Sequence, residues 1–349
     1  MFKVLTLNDS TVWDRVVFTF SEYDVYYLSG YVKAFLIHGD GEPQLFFYEE
    51  DGLRAIYVCM KRETAIKGMY DSITPYGYGG VLFDGDMSIA KLHVFWKAYI
   101  EKMKELNIID NFVRYHPVLA NAILMKEIST VIDLGKTIAL DISSPDVIWE
   151  NIVRQNRNKI RKAEKNGVTI HHAHNYGLFK DFIRIYNATM DKDNAEEYYY
   201  FEEEFYKSIH EDLSGHYEMF YAVYEGQIIA MSIILFANRQ MHYHLSGSMI
   251  EYRNLAPSNL LLYEAALWGC KQGYRTFHLG GGVGSNEDNL YKFKAAFNRK
   301  SNYQFSIGKH VFNQERYDEL VNERIARDCD FDKESKFFPL YRSSVSYTH

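Results

Sequence analysis

The residues best suited to chemistry lie in one short block near the end of the chain, FHLGGGVGSNEDNLYKFKAAF at 277–297. Gly280, Gly281 and Gly282 end a strand-like run, and a helical run carrying Lys292 and Lys294 follows. Glycines at a strand end let it splay open beside a substrate. A lysine just beyond them brings a compact, adaptable charge to the same place. The block is not a P-loop, because no GK[ST] follows. It also misses GxGxxG, because Ser285 stands at the last glycine position. Leu290, Phe293 and Phe297 share one helical face, which puts Lys294 beside a buried stripe. A solvated lysine is the competing reading.

Other candidates are spread more widely. A helix is expected over 148–165, with Ile148, Trp149, Ile152, Val153, Ile160 and Ala163 as its apolar stripe. Arg154, Arg157, Arg161 and Lys165 form a basic row beside it, able to grip a diphosphate or an RNA backbone. A solvated face explains the row equally simply, and Arg157, which borders the apolar stripe, is the residue chosen from it. Asn156 falls inside the stripe, so its amide must find partners and is read as structural. At 241–245, Met241, Tyr243 and Leu245 face one way, and His242 and His244 the other. Tyr243 and His244 either line a cleft, with His244 as a proton acceptor, or are buried aromatics. Tyr76 and Tyr78 in PYGYGG sit on a glycine-rich loop that covers a sugar or nucleotide, or is simply a turn.

Those residues need elements to hold them. The chain has 349 residues, enough for two domains, and 47% of them are hydrophobic. Aromatics make up 16%, with 29 tyrosines that suit cores or polar clefts. The net charge of −7 argues against a general nucleic-acid binder while leaving room for a local basic patch, and no DNA partner is expected. Three isolated cysteines fit a reducing compartment. The start lacks the apolar core of a signal peptide, and no apolar run approaches the length of a membrane span. A cytoplasmic protein with no transmembrane segment is therefore expected. HHAH at 171–174 lacks metal-ligand spacing, so no metal is expected.

The elements fall into two α/β halves with a boundary near 145, giving domains 1–145 and 146–349. In the first, residues 41–63 alternate as a hairpin turning at EEDG, and 88–106 space Leu92, Phe95, Trp96, Tyr99 and Met103 helically. In the second, Ser144 caps a helix before Pro145, two more helices follow, and 217–248 reads as a three-strand meander. A helix beginning at Pro257, a strand through YRTFHLGGG and a last strand at FSIGKHVF complete it.

This order resembles a GNAT acyltransferase domain. Such a domain binds the pyrophosphate of acetyl-CoA on backbone N–H groups where its fourth strand turns into a helix, using Q/R-x-x-G-x-G/A. The matching residues are Arg253, Ala256 and Ser258. The arginine is present, both glycines are replaced, and Pro257 removes an amide donor. The loop is therefore either an ordinary helix start or a weakened cofactor cradle. Closer still, NRNKIRKAEKNGV at 156–168, YNATMDKDNAEEYYYF at 186–201, HYHLSGS at 242–248, LAPSNLLLYEA at 255–265 and FHLGGG…NLYKFKAAF at 277–297 resemble the Fem-type (FemAB-like) aminoacyltransferases, which are tandem GNAT-like enzymes. In the first half the likeness is chiefly ITPYGYGG at 73–80.

The resemblance implies transfer of an aminoacyl or acyl group to an amine in cell-wall precursor synthesis. The site is expected between the halves, facing the second sheet. The donor implied is aminoacyl-tRNA or an acyl-CoA, with no certain cofactor, and the acceptor a nucleotide-sugar or lipid-linked envelope precursor. Lys294 matches the lysine of the family's FK motif, which suggests a role at the oxyanion or the leaving group. Tyr199, within YYY at 198–200, is expected to place a ring in the cleft. Lys192 stands where relatives often have arginine, and no counterpart of the coiled-coil arm of some Fem enzymes is present. The rival readings are an acetyl-CoA-dependent N-acetyltransferase and a non-catalytic binding module.

Overall fold

The computed structural model describes residues 2–343. Thirteen strands run in chain order among them: β1 (Phe2–Leu5), β2 (Glu42–Glu50), β3 (Leu53–Glu63), β4 (Tyr70–Ile73), β5 (Leu82–Gly85), β6 (Ile108–Arg114), β7 (Val131–Asp141), β8 (Thr169–Ala173), β9 (Tyr217–Tyr224), β10 (Gln227–Ala237), β11 (Gln240–Ser248), β12 (Thr276–Gly280) and β13 (Tyr303–Val311). The class is mixed α/β, as expected. None of the helices described is long and apolar enough to cross a membrane.

The chain folds as two compact units. One comprises the residues up to Leu134 together with those from Gln304 on, and the other is Gly135–Tyr303. In the first, the strand order is β1-β2-β3-β4-β6-β13, with β5 paired to β3. The β2–β3 hairpin turns at Asp51 and Gly52, both at positive φ, the geometry a two-residue hairpin loop requires. Helix Ile89–Glu105 lays Leu92, Phe95, Tyr99 and Met103 onto this sheet, as their spacing predicts. The last strand departs from expectation. β13 is antiparallel to β6, and Phe312 joins the aromatic core with Tyr99 and Tyr115, so the segment from Gln304 on packs with the first half, not the second.

The second unit is built on β9–β10–β11, the expected meander, which turns at Glu225–Gly226 and at Asn238, all at positive φ. β8 pairs with its β9 edge, and His172 of the HHAH run meets Glu218 there at 2.7 Å. β12 is parallel to β11 and antiparallel to the end of β7. Helix Pro257–Gln272 covers one face with Leu260, Leu261, Ala265 and Ala266. Gly269 is needed there: a Cβ would lie 2.1 Å from Met241 Sδ.

The single helix expected over 148–165 is two, Pro145–Asn151 and Arg154–Lys165. The break has a cause. Val153 turns its N–H away from the helix and donates it to the Ala296 carbonyl at 3.0 Å. Asn156, 2% exposed, then donates to the same carbonyl at 3.3 Å and accepts from Asn259 Nδ2 at 2.6 Å. The structural reading of Asn156 thus gains its partners, and three helices meet at one buried polar knot. Replacing Asn156 or Asn259 by Ala strands the other amide and should cost about 1–3 kcal/mol each. The double variant should cost clearly less than the sum. Denaturant unfolding of the three variants checks this, and strict additivity would contradict the coupling.

Candidate functional site

β11 and β12 pair over just three residues, Gln240–His242 with Thr276–His278, and then part. Beyond the last pair, β11 continues through Tyr243 and His244, and β12 ends at Gly280, followed by Gly281 and Gly282. The parting is helped by a bulge. Ile233 pairs with Leu245 and Ile234 with Tyr243, so His244 is the extra residue of β11. The bulge also corrects the expected face assignment. Tyr243 packs with Met241 and Ile234 against the helix-covered core, whereas Leu245 has no place in that cluster. One inserted residue moves every later side chain to the opposite face.

Lys294 stands at the end of β12. Its helix, Asn289–Ala295, is capped by Asp288, whose side chain accepts from Tyr291 N at 2.8 Å and from Val283 N at 3.1 Å. Gly282 permits that turn, since a Cβ there would lie 2.4 Å from the Asp288 carboxylate and 2.1 Å from the Asn286 carbonyl. The side chain of Lys294 is 9% exposed, and Nζ donates to the Gly281 carbonyl at 2.7 Å. An ammonium has three donors, which leaves two for an oxygen brought into the opening. Burial pushes the Lys294 pKa down to about 8, with Asp288 working against it. Burial works to raise the Asp288 pKa, but the N–H groups of Tyr291 and Val283 and the Lys294 charge hold it below its ordinary value. The expected face is shifted by a turn: Phe297 and Phe293 pack into the core, but Leu290 is exposed and Lys294 is buried in its stead. Lys292 is exposed.

His244 does not fit the proton acceptor anticipated for it. Burial, and then neighbouring His242, push its pKa down to about 3, so the ring is neutral and a weak base at physiological pH. Burial raises the Tyr243 phenol above its usual value, partly offset by Ser246.

Ala256 takes left-handed φ 56°, ψ 44° and caps helix Pro257–Gln272 through its carbonyl, which accepts from Asn259 N at 3.1 Å. Pro257 brings no N–H, and the Ser258 amide meets no backbone carbonyl, so one donor is left at this helix start. Arg253 is exposed. Arg157 is half-buried with its guanidinium 5.8 Å from the Trp149 ring, and Arg161 stacks there at 5.0 Å. Arg154 and Lys165 are exposed, as a solvated face would be. Tyr199 is 37% exposed and edge-on to Tyr198.

Tyr76 and Tyr78 belong to the first unit and are packed, not loose on a turn. Tyr76 stacks on Phe35 with centroids 5.4 Å apart, and Tyr78 lies edge-on to Tyr26 at 5.8 Å. Beside them is a pair absent from the sequence expectations, Asp24 and His116, 2.9 Å apart and fully buried. His116 Nδ1 accepts from Leu119 N at 3.1 Å, so Nε2 carries the proton that faces Asp24. Nothing in the sequence links two residues so far apart. Asp288 was findable, since an Asp three residues before Tyr291 at a helix start is a capping signal.

Comparison with known proteins supports the fold. The family model for the acetyltransferase (GNAT) domain matches residues 151–294. No curated protein matches the sequence. Among solved structures, FemX aligns with a TM-score of 0.68 at 15% identity, over 91% of this chain and 99% of its own. A conserved protein of unknown function from Bacteroides thetaiotaomicron aligns at 0.61 and 12% identity, over 89% and 99% of the two chains. The C-terminal domain of a putative lysylphosphatidylglycerol synthetase from Agrobacterium fabrum aligns at 0.55 and 14% identity, over 92% and 95%. Residues 151–294, which include the parted strands and Lys294 at their end, match the acetyltransferase (GNAT) domain, and the chain shares the fold of FemX.

Proposed function

We propose that this chain transfers an aminoacyl or acyl group to the amine of a cell-envelope precursor. The observation that carries the reading is the buried ammonium of Lys294, held by the Gly281 carbonyl beside the opening of β11 and β12. The amine attacks the donor carbonyl and the N–C bond forms. Negative charge then gathers on the carbonyl oxygen, and the two remaining Lys294 donors meet it. When the intermediate collapses, the bond to the leaving group breaks and the amine's proton leaves with it or through solvent. His244, neutral and weakly basic, is not assigned that proton. The likeness to FemX, and to a domain named for a lysyl-lipid synthetase, supports an envelope acceptor, nucleotide-sugar or lipid-linked.

A second reading, acetyl-CoA-dependent N-acetylation, is favoured by the family match and by the open Ser258 amide at a sixteen-residue helix. Pro257 weakens it by removing a donor. Calorimetric titration with acetyl-CoA separates the two. On the first reading no saturable binding is seen near ~100 µM, roughly 5–6 kcal/mol of binding free energy, and charged tRNA supports transfer. Saturable acetyl-CoA binding would put the second reading first.

Lys294→Met should lower kcat about 10²–10³-fold, the usual loss of one oxyanion donor. A residue selected for charge, not packing, should also show the opposite effect on stability. The folded pKa of Lys294 is depressed to about 8, so below that pH the fold bears the cost of a buried charge, about 3 kcal/mol. Stability contributed by the wild-type side chain rises as pH climbs from about 8 toward the unfolded value. Lys294→Met should therefore not be destabilised at pH 7, and its advantage should shrink by pH 10. Undiminished turnover in the variant, or a large loss of stability at pH 7, would remove Lys294 from this role.

A further inference from the structure

A second buried cluster of charge lies in the first unit. β3, β4 and β6 bring three charged residues into register: Arg62 is the cross-strand partner of Asp71, and Asp71 of Asp110. Both carboxyls are fully buried. The turn Leu340–Arg342 lies over them. Tyr341 Oη is 2.7 Å from Asp110 Oδ2 and 3.0 Å from Asp71 Oδ2. Arg62 Nε meets Asp71 Oδ1 at 2.6 Å, and Arg342 Nε donates to Asp71 Oδ2 while its Nη2 donates to the Glu63 carbonyl at 2.6 Å.

A phenol has one proton to give. Asp71, gripped by two guanidinium groups, is the natural seat of negative charge and the natural acceptor of that proton. The shorter contact, to Asp110, is then attractive only if Asp110 supplies a proton of its own. Among the described residues no guanidinium is bonded to Asp110, and its Oδ1 has no partner. The consistent arrangement is Asp110 O–H donating to Tyr341 Oη, and Tyr341 O–H donating to the Asp71 carboxylate.

We propose that this shared proton is a latch that fastens the Leu340–Arg342 turn to the sheet and releases it in mildly alkaline solution. Loss of the proton leaves two buried carboxylates, Asp110 and Asp71, sharing the single phenol hydrogen of Tyr341. The groups facing Asp110 are Asp71 from β4, Arg62 from β3, Tyr341 and Arg342 from the turn, and Tyr317 from helix Gln314–Arg327; its β13 neighbour, Val311, is apolar. Burial first, then Asp71, push the Asp110 pKa up to about 8, against Tyr341, Arg62 and Arg342. A carboxyl raised in this way stabilises the closed form at low pH, and that contribution is lost as pH rises through the folded value. Release also frees the contacts that tie the turn to helix Gln314–Arg327, Leu340 N to Tyr317 Oη at 3.0 Å and Arg324 Nη2 to the Ser343 carbonyl at 3.4 Å.

Amide hydrogen exchange of the full-length protein, read by mass spectrometry on peptides covering 337–343 and corrected for intrinsic exchange, tests the latch. In the wild type, protection there should fall about tenfold between pH 7 and 9, while peptides from β2 and β3 stay unchanged. Asp110→Asn, which keeps a donor toward Tyr341 at every pH, should hold its protection flat over that range. Tyr341→Phe should lose protection already at pH 7. A flat wild-type profile, an Asp110→Asn profile that falls with the wild-type midpoint or is unprotected throughout, or a Tyr341→Phe profile like the wild type would each overturn the proposal.

Discussion

The second unit depends on keeping one positive charge where water barely reaches. An ammonium loses solvation when buried, and it stays in place only if something fixed accepts from it. Here the acceptor is the Gly281 carbonyl, and the helix that carries Lys294 is fastened at both ends. Asp288 caps its start, and the Ala296 carbonyl at its end is gripped by Val153 and Asn156. The broken helix at Ile152, the Asn156–Asn259 bond and the tight turn at Gly282 all follow from holding one side chain steady beside the opening between two strands. Charge fixed in advance, at a site of low dielectric, stabilises a developing oxyanion without reorganising at the moment of reaction.

The same physics with the sign reversed governs the first unit. There the buried charges are carboxyls, and Arg62, Arg342 and the Tyr341 hydroxyl supply the donors. A free-standing ionised pair would be too costly, so one member keeps its proton. Neither cluster is a stabilising device in the ordinary sense. Apolar side chains of similar volume would pack these places at least as well, which is why buried ionisable groups point to a task.

Much of the architecture was legible because periodicity reports burial directly. The hairpin at 42–63, the helix carrying Leu92, Phe95, Tyr99 and Met103, the meander and the helix after Pro257 appear where alternation and helical spacing put them. What stayed hidden was non-local. The single helix over 148–165 is split by a hydrogen bond to a carbonyl more than a hundred residues away. A bulge at His244 reverses the faces of β11, and a two-residue alternation offers no warning of an extra residue. The segment from Gln304 on joins the first unit through pairing with β6, which its own pattern cannot reveal.

At the proposed site, Lys294 and the glycines before it stand out in the sequence, whereas their supports do not. Asp288 carried a capping signal. Asn156 announced itself as a polar residue on an apolar stripe, but its partner Asn259 reads as an unremarked early-helix residue. His244 shows the limit of residue type as a guide, because the same imidazole is a good base in water and a poor one once buried beside His242.

Lys294 is a buried cation with a depressed pKa, and that state can be measured directly. Lysine labelled at Cε, with Lys294→Met used to assign the resonance, would be followed by NMR from pH 6 to 11 in the full-length protein. A titration midpoint near 8, well separated from the other lysines, is the expected result. A midpoint at the ordinary lysine value, near 10.4, would mean that the ammonium is solvated and not set into the site, and would contradict the central claim.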